Sequence, residues 1–167
     1  MDAYVEDTSG GAVAQTSRGG FGHTGTLTGM ASVAIFSDAN GWVSLGSASA
    51  VNFSMQSSDE EQVATNAMVP VGIYTRVRFE LSSAQALISA GSDVGGGVLS
   101  ADVAVAVGGS DQSVLVEKTI LPFTVTGSTS AAVRIDMNSE LWIDDASVTA
   151  QSAADAAIES ATAVAIN

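Results

Sequence analysis

Four oxygen-bearing side chains near the end of the sequence have the types and spacing that metal binding requires: Asp136, Asn138, Glu140 and Asp144. The first three alternate along the chain, so they share one face if a strand runs through them. Carboxylate and amide oxygens at this density are the ligands that calcium prefers. These residues are a weak candidate site for calcium, because the glycine and the distant glutamate of an EF-hand loop are missing. The favoured interpretation is a solvated acidic strand edge, and we predict no cofactor.

Arginine and aromatic side chains form a second set of candidates. Tyr74, Arg76 and Arg78 alternate with apolar residues, which places them on the outer face of a predicted strand. The favoured interpretation is cross-strand pairing with an acidic neighbour, and the alternative is an anion-binding site. Trp42 and Trp142, if exposed, would offer a ligand or contact surface, for example to carbohydrate.

The residues that hydrolytic enzymes use are poorly represented. His23 is the only histidine, and it lies in a glycine-rich segment of a chain that has no Gly-x-Ser-x-Gly motif. Paired carboxylates could serve glycoside hydrolysis, but the aromatic residues that would bind a sugar are only two Trp, two Tyr and five Phe. We assign no catalytic residue and predict that the protein is not an enzyme.

The strand that carries the two arginines is the clearest element of the sequence, because apolar and polar residues alternate from Val71 to Leu81. Asn40 and Gly41 between two apolar runs predict a β-hairpin, since both residue types tolerate positive φ. Similar short strands, few aromatics and 17 glycines favour an all-β class. The core-facing residues of the clearest strand are predicted to be Val71, Ile73, Val77, Phe79 and Leu81.

The organisation that follows is one antiparallel β-sandwich, Greek-key or jelly-roll-like, over residues 26–148. Residues 1–25, rich in glycine and serine, are predicted to form a flexible arm. The alanine spacing of residues 149–167 predicts a C-terminal helix. Ser58 and the carboxylates that follow it predict a short acidic helix that ends before Pro70.

Eighteen acidic residues against five basic ones give the chain a net charge of −13. This charge repels phosphate backbones and anionic lipid, so we predict no nucleic-acid partner. It is typical of a halophilic or marine source, and the alternative is an ordinary acidic extracellular protein.

The chain has no cysteine, which excludes disulfides and thiolate chemistry. No apolar run approaches the ~20 residues that span a bilayer. We see no signal-peptide pattern and expect a mature or truncated chain, or one made without a signal peptide.

The order of short motifs along the chain is informative about family. Seven motifs follow one another in this order: a hairpin strand, Trp-Val-Ser-Leu, an acidic segment, Val-Pro-x-Gly-x-Tyr-x-x-Val-Arg, a glycine loop, Phe-Thr-Val and an Asp-x-Asn segment. This order resembles domain of unknown function 4382, over roughly residues 27–148. The resemblance implies a secreted or cell-surface β-sandwich of bacteria or archaea, commonly lipid-anchored, and it implies no chemistry. Its most specific residues are Pro70, Gly72, Tyr74 and Arg78.

These features favour a non-enzymatic extracytoplasmic β-sandwich that serves in adhesion or builds a surface structure. Its partners would be copies of itself or other protein subunits, contacted through the arm, the C-terminal helix or strand addition along residues 26–36. Two other functions stay open: a virion structural or decoration protein of a virus with a halophilic or marine host, and a carbohydrate- or calcium-binding module. The expected location is extracellular or on the cell surface, or the virion in the viral case.

Overall fold

Two main β-sheets with one apolar core between them form the fold, and a separate two-stranded sheet accompanies them. The computed structural model describes residues 1–7, 23–55, 59–139 and 142–167. Strands make up 61% of the chain and helices 11%, which confirms the predicted all-β, sandwich-like class. The largest buried side chains include Trp142, Tyr74, Phe53, Phe79, Leu27 and Ile35.

The described elements follow one another from the first strand to the last. They are β1 (Asp2–Asp7), β2 (Gly25–Ser37), β3 (Gly41–Ser54), β4 (Asp59–Ala64), β5 (Gly72–Ile88), β6 (Asp93–Val94), β7 (Gly97–Val98), β8 (Val103–Val107), a 3-10 turn (Gly109–Asp111), β9 (Ser113–Val125), β10 (Ala132–Asp136), α1 (Asp145–Ala150), β11 (Ser152–Ala153), α2 (Asp155–Ala161) and β12 (Ala163–Ile166).

The smaller sheet has the strand order β12-β10-β1-β4, so that β1 lies in its interior. The larger sheet has the order β11-β8-β5-β2-β3, and β9 pairs with the first part of β5. Most strand pairs are antiparallel, as predicted. Two pairs are parallel, β1 with β10 and β11 with β8, so the sheets are mixed and not purely antiparallel.

Strand β5 keeps the predicted alternation only in part. Val77, Phe79 and Leu81 are buried as expected, but Val71 is 67% exposed and Tyr74 is completely buried. The register against β9 shifts between Tyr74 and Arg76, and a bulge of this kind reverses which side of the strand faces the core. The predictions that Val71 and Ile73 face the core and that Tyr74 faces outward are therefore wrong.

The hairpin predicted at Asn40-Gly41 is confirmed. β2 and β3 pair as far as Ser37 and Gly41, and three residues connect them. Gly41 has a φ of +68°, a value that glycine adopts without the steric cost of a Cβ. The Ser37 hydroxyl accepts a hydrogen bond from the Asn40 N–H at 3.0 Å and so closes the turn.

The prediction of a flexible arm over residues 1–25 is wrong for its first part. Asp2–Asp7 forms β1, with Ala3, Val5 and Asp7 buried and Tyr4 and Glu6 half-buried. This two-residue period is that of a strand with one face on the core. Residues 8–22 make up most of the rest of the predicted arm, and they lie outside the described residues.

Strand addition along residues 26–36 is also contradicted. This segment belongs to β2, which pairs with β3 on one side and with β5 on the other. Its backbone groups are already used in the ladder, so it offers no free edge to a partner strand.

The predicted short acidic helix is replaced by β4. Asp59–Ala64 pairs antiparallel with β1, and Val63 and Ala64 reach the core. Helix propensity is a weak preference that tertiary pairing overrides, and here the pairing with β1 decides the conformation.

The predicted helix over residues 149–167 is wrong in extent. The chain forms α1 and α2, with β11 between them and β12 after them. Gln151 ends α1 in the left-handed conformation, with a φ of 56°, and β12 pairs with β10. Both helices are short, and none of the described helices is long and apolar enough to cross a membrane.

Candidate functional site

The position of β1 is the first candidate for function, because this strand joins two otherwise separate parts of the smaller sheet. It pairs with β10 on one side and with β4 on the other. Ala3 and Val5 are fully buried in the core. Without β1, a gap would separate β4 from β10, and its two edges would present unpaired backbone groups.

A buried polar contact fixes the end of β1. The Asp7 carboxylate accepts hydrogen bonds from the N–H of Ser139, at 3.1 Å, and from the Ser139 hydroxyl. Both residues are almost fully buried, so these bonds compensate for removing a carboxylate from water. The Met137 N–H also donates to the Glu6 carbonyl at 2.9 Å. Together these bonds set the register of β1 against the segment that follows β10.

The outward side chains of β1 contact both neighbouring strands. Arg134 of β10 lies over the Tyr4 ring, 4.7 Å from its centroid, and pairs with Glu6 at 3.4 Å. The same guanidinium pairs with Glu60 of β4. Gln62 of β4 donates from its amide to the Tyr4 hydroxyl at 3.2 Å. The neighbouring strands therefore make specific contacts with side chains on both faces of β1.

A second cluster lies on the outer face of the larger sheet, where Arg76 and Arg78 were predicted. The Arg76 guanidinium lies 3.8 Å from the Phe36 ring centroid, and the Arg78 guanidinium lies 4.0 Å from that of Trp42. Arg78 donates to the Glu117 carboxylate from Nε at 2.9 Å, and Arg76 approaches the other carboxylate oxygen at 3.8 Å. Cation–π and ionic contacts thus hold both arginines in place.

Two residues predicted for this kind of surface lie elsewhere. Tyr74 is buried beside the bulge of β5, where its hydroxyl donates to the Pro70 carbonyl at 2.9 Å. Trp142 is only 1% exposed, and its Nε1–H donates to the Met137 carbonyl at 3.0 Å. The prediction that Trp142 forms a ligand or contact surface is wrong, because its ring fills the core.

The oxygen-bearing residues of the predicted calcium site are bonded largely to the backbone. Asp136 accepts from the Asn138 N–H at 3.1 Å, and Asn138 donates from its amide to the Ala161 carbonyl at 3.0 Å. Asp144 caps α1 by accepting from the Ser147 N–H at 2.7 Å. Within the described residues, no group of three or more His, Cys, Asp or Glu is placed to hold a metal ion. Calcium binding stays a prediction, since Glu140 lies outside those residues.

The capping bond at Asp144 has an electrostatic consequence. Hydrogen bonding from the Ser147 backbone holds the pKa of the Asp144 carboxyl below its usual value of 3.8, against the opposing effect of partial burial. The charged form of Asp144 is therefore favoured in the folded protein.

His23 packs against the start of α1. Its Nδ1 lies 3.0 Å from the Ile143 carbonyl and its Nε2 lies 3.1 Å from the Asp145 carboxylate. The other oxygen of Asp145 accepts from the Gly95 N–H at 2.8 Å. This geometry ties three segments of the chain together.

Comparison of the chain with models of known protein families, with curated proteins and with solved structures finds no match. The resemblance to domain of unknown function 4382 therefore stays a prediction. The residues that sequence reasoning missed are Asp7, Ser139, Phe36 and Glu117. Of these, only the buried position of Asp7 could have been predicted, from the alternation of the first seven residues.

Proposed function

We propose that the protein is a non-enzymatic structural subunit that assembles with copies of itself outside the cytoplasm, each copy inserting β1 into the smaller sheet of the next. The observation that carries this proposal is the interior position of β1, between two strands that it alone joins. A second copy carries the same strand, so it can supply the same backbone ladder and the same buried side chains.

The length of the chain after β1 supports exchange between copies. Residues 8–24 separate the end of β1 from the start of β2. Seventeen residues span at most about 55–60 Å when extended, which exceeds the diameter of a small domain. The sequence therefore has enough length for β1 to reach the gap of a neighbouring copy.

The geometry of such an exchange predicts the form of the assembly. The donating strand and the accepting gap are different surfaces of the subunit, so donation from each copy to the next is a head-to-tail contact, whereas reciprocal exchange would close a dimer. Head-to-tail contacts give rings where the rotation closes and filaments where it does not. Filaments would support a cell-surface structure, whereas closed shells would support the virion alternative.

A cysteine pair across β1 and β4 tests the proposal directly, because the natural chain has no cysteine. Tyr4 and Gln62 are Cα partners in the antiparallel register, and their side chains are in contact, so cysteines at the two positions lie close together. In the double variant Tyr4→Cys/Gln62→Cys, exchange between copies links one chain to the next. We expect oxidised samples to show dimers, trimers and larger multiples on denaturing gels, all of which disappear on reduction.

The single variants Tyr4→Cys and Gln62→Cys are the matched controls, since neither can extend a covalent chain beyond a dimer. If the oxidised double variant contains only internally linked monomer at every protein concentration, β1 pairs within its own chain and the proposal is wrong.

A further inference from the structure

The outer face of the larger sheet combines a raised cluster with a neighbouring hollow. Large side chains from β2, β3 and β5 form the raised cluster, namely Phe36, Trp42, Arg76 and Arg78. A shallow hollow of about 440 Å³ lies further along the same strands, lined among others by Met30, Ser32, Ser47, Glu80 and Ser82. The two features are neighbours because Arg78 and Glu80 are successive outward residues of β5.

The two features carry opposite charge. Two guanidinium groups of the raised cluster share the single carboxylate of Glu117, which leaves that cluster positive. Glu80 at the hollow is exposed and has no ion-pair partner among the residues that the structure describes. One face of the sheet thus holds an excess cation and, about 7 Å away along β5, an anion that pairs with no described cation.

Such an arrangement is complementary to itself. A two-fold axis parallel to the sheet and perpendicular to β5, placed between Arg78 and Glu80, brings Arg78 of one copy opposite Glu80 of a second copy. The same rotation brings Glu80 of the first copy opposite Arg78 of the second, and it sets each raised cluster against the other hollow. Two-fold contacts are the commonest interfaces between identical subunits.

The charge of the whole chain favours this face for contact between copies. The chain has a net charge of −13, so most pairs of surfaces repel each other at low salt. On this face Arg76 and Arg78 balance Glu80 and Glu117. Arginine and tryptophan are also the residues that most often dominate binding energy at protein interfaces, and the fixed arginine side chains lose little freedom on binding.

We infer that the outer face of the larger sheet, centred on Arg78 and Glu80, is a two-fold contact surface for a second copy of this chain. This surface is separate from the gap that β1 fills. It would join subunits side by side, whether or not β1 is exchanged.

A charge-exchange experiment tests this inference. We would measure the average mass in solution of the full chain, of Glu80→Arg, of Arg78→Glu and of an equimolar mixture of the two variants, at one fixed ionic strength. In a two-fold dimer of either variant alone, two pairs of like charges face each other and oppose the contact. We therefore expect the mass to fall by about half. The mixture restores both attractive pairs, and we expect it to recover the mass of the natural chain.

Glu159→Arg is the matched control for Glu80→Arg, because it makes the same change of charge on an exposed helix residue and is expected to leave the mass unchanged. Circular dichroism checks that each variant is folded. If Arg78→Glu unfolds, Glu80→Arg alone tests the inference, since a mixture with a neutral residue at position 78 would restore only one attractive pair. The inference is overturned if Glu80→Arg has the mass of the natural chain, or if the mixture of folded variants fails to regain it. The disulfide cross-links of the Tyr4→Cys/Gln62→Cys variant are expected to persist when Glu80→Arg is added, which separates this inference from strand exchange.

Discussion

The Asp7 carboxylate accepts hydrogen bonds from both the backbone N–H and the hydroxyl of Ser139, a residue 132 positions further along the chain. Each of these two residues is almost fully buried. The contact therefore links the end of the first strand to the turn that follows β10, at a point where water does not compete for the hydrogen bonds. A shift of β1 by one residue would break it and would also turn Ala3 and Val5 away from the core.

Replacing Asp7 by alanine is expected to destabilise the protein by about 1–3 kcal/mol, because it leaves the buried N–H and hydroxyl of Ser139 without this acceptor. Denaturant unfolding at neutral pH measures the effect. Asp2→Ala is the control, since Asp2 accepts from the Asn66 N–H in an exposed position and should cost less than about 0.5 kcal/mol. Equal losses in the two variants would contradict the role of burial.

Removing the cap of α1 is expected to have an effect that depends on pH. Asp144→Ala should lower the free energy of unfolding by about 1 kcal/mol at neutral pH. The pKa of Asp144 is lowered in the folded state, so its stabilisation is present above the usual value of 3.8 and is lost as the pH falls through the lower folded value.

Unfolding curves of the natural chain and of Asp144→Ala should therefore converge in strong acid. Asp38→Ala makes the same charge change at the exposed turn between β2 and β3, and its difference from the natural chain should stay small throughout. A difference for Asp144→Ala that is constant across this pH range would show that the carboxylate charge is not involved.

Alanine substitutions at two adjacent glycines allow the cost of backbone strain and the cost of steric overlap to be measured separately. Gly108 and Gly109 both have positive φ, of 80° and 63°. A Cβ on Gly108 would overlap the backbone of Ser113, whereas one on Gly109 would meet nothing within 4 Å. Gly109→Ala should cost about 1 kcal/mol from strain alone.

Gly108→Ala should cost at least about twice as much, because the backbone at the start of β9 must also move. Thermal unfolding of the two variants under one set of conditions measures this difference. Similar melting temperatures would show that the turn accommodates the added methyl group without displacing β9.

Salt is expected to stabilise the folded chain. With a net charge of −13, the compact state is opposed by self-repulsion that ions screen. The melting temperature should rise as a monovalent salt increases towards molar concentration. A melting temperature that does not change over this range would contradict the hypothesis of a halophilic or marine source.

Local sequence patterns predicted the all-β class and the hairpin at Gly41, because both depend on residues close together in the chain. The outer position of Arg76 and Arg78 was also predictable from alternation. Their partner Glu117 was not, since it depends on β9 lying beside β5. Tyr74 was misplaced because a bulge reverses alternation without leaving a clear mark in the sequence.

Long-range packing explains the remaining errors. Trp142 reads as an isolated aromatic residue, and only the three-dimensional structure shows that its ring is in the core. The strand at Asp2–Asp7 is short and is followed by a glycine-rich sequence. The composition of the whole segment therefore predicted a flexible arm, although the first residues alternate with the two-residue period of a strand. Its partners are β4 and β10, which no local signal could indicate.

The pairing of β1 with β10 also bears on the order in which the protein is made. Synthesis proceeds from the N-terminus, so β1 leaves the ribosome before β4 and long before residues 132–136 of β10. During that interval the first strand has no complete site in its own chain. The smaller sheet is therefore completed late, only once residues 132–136 have been made, and the proposed exchange competes with pairing inside the chain from that point on.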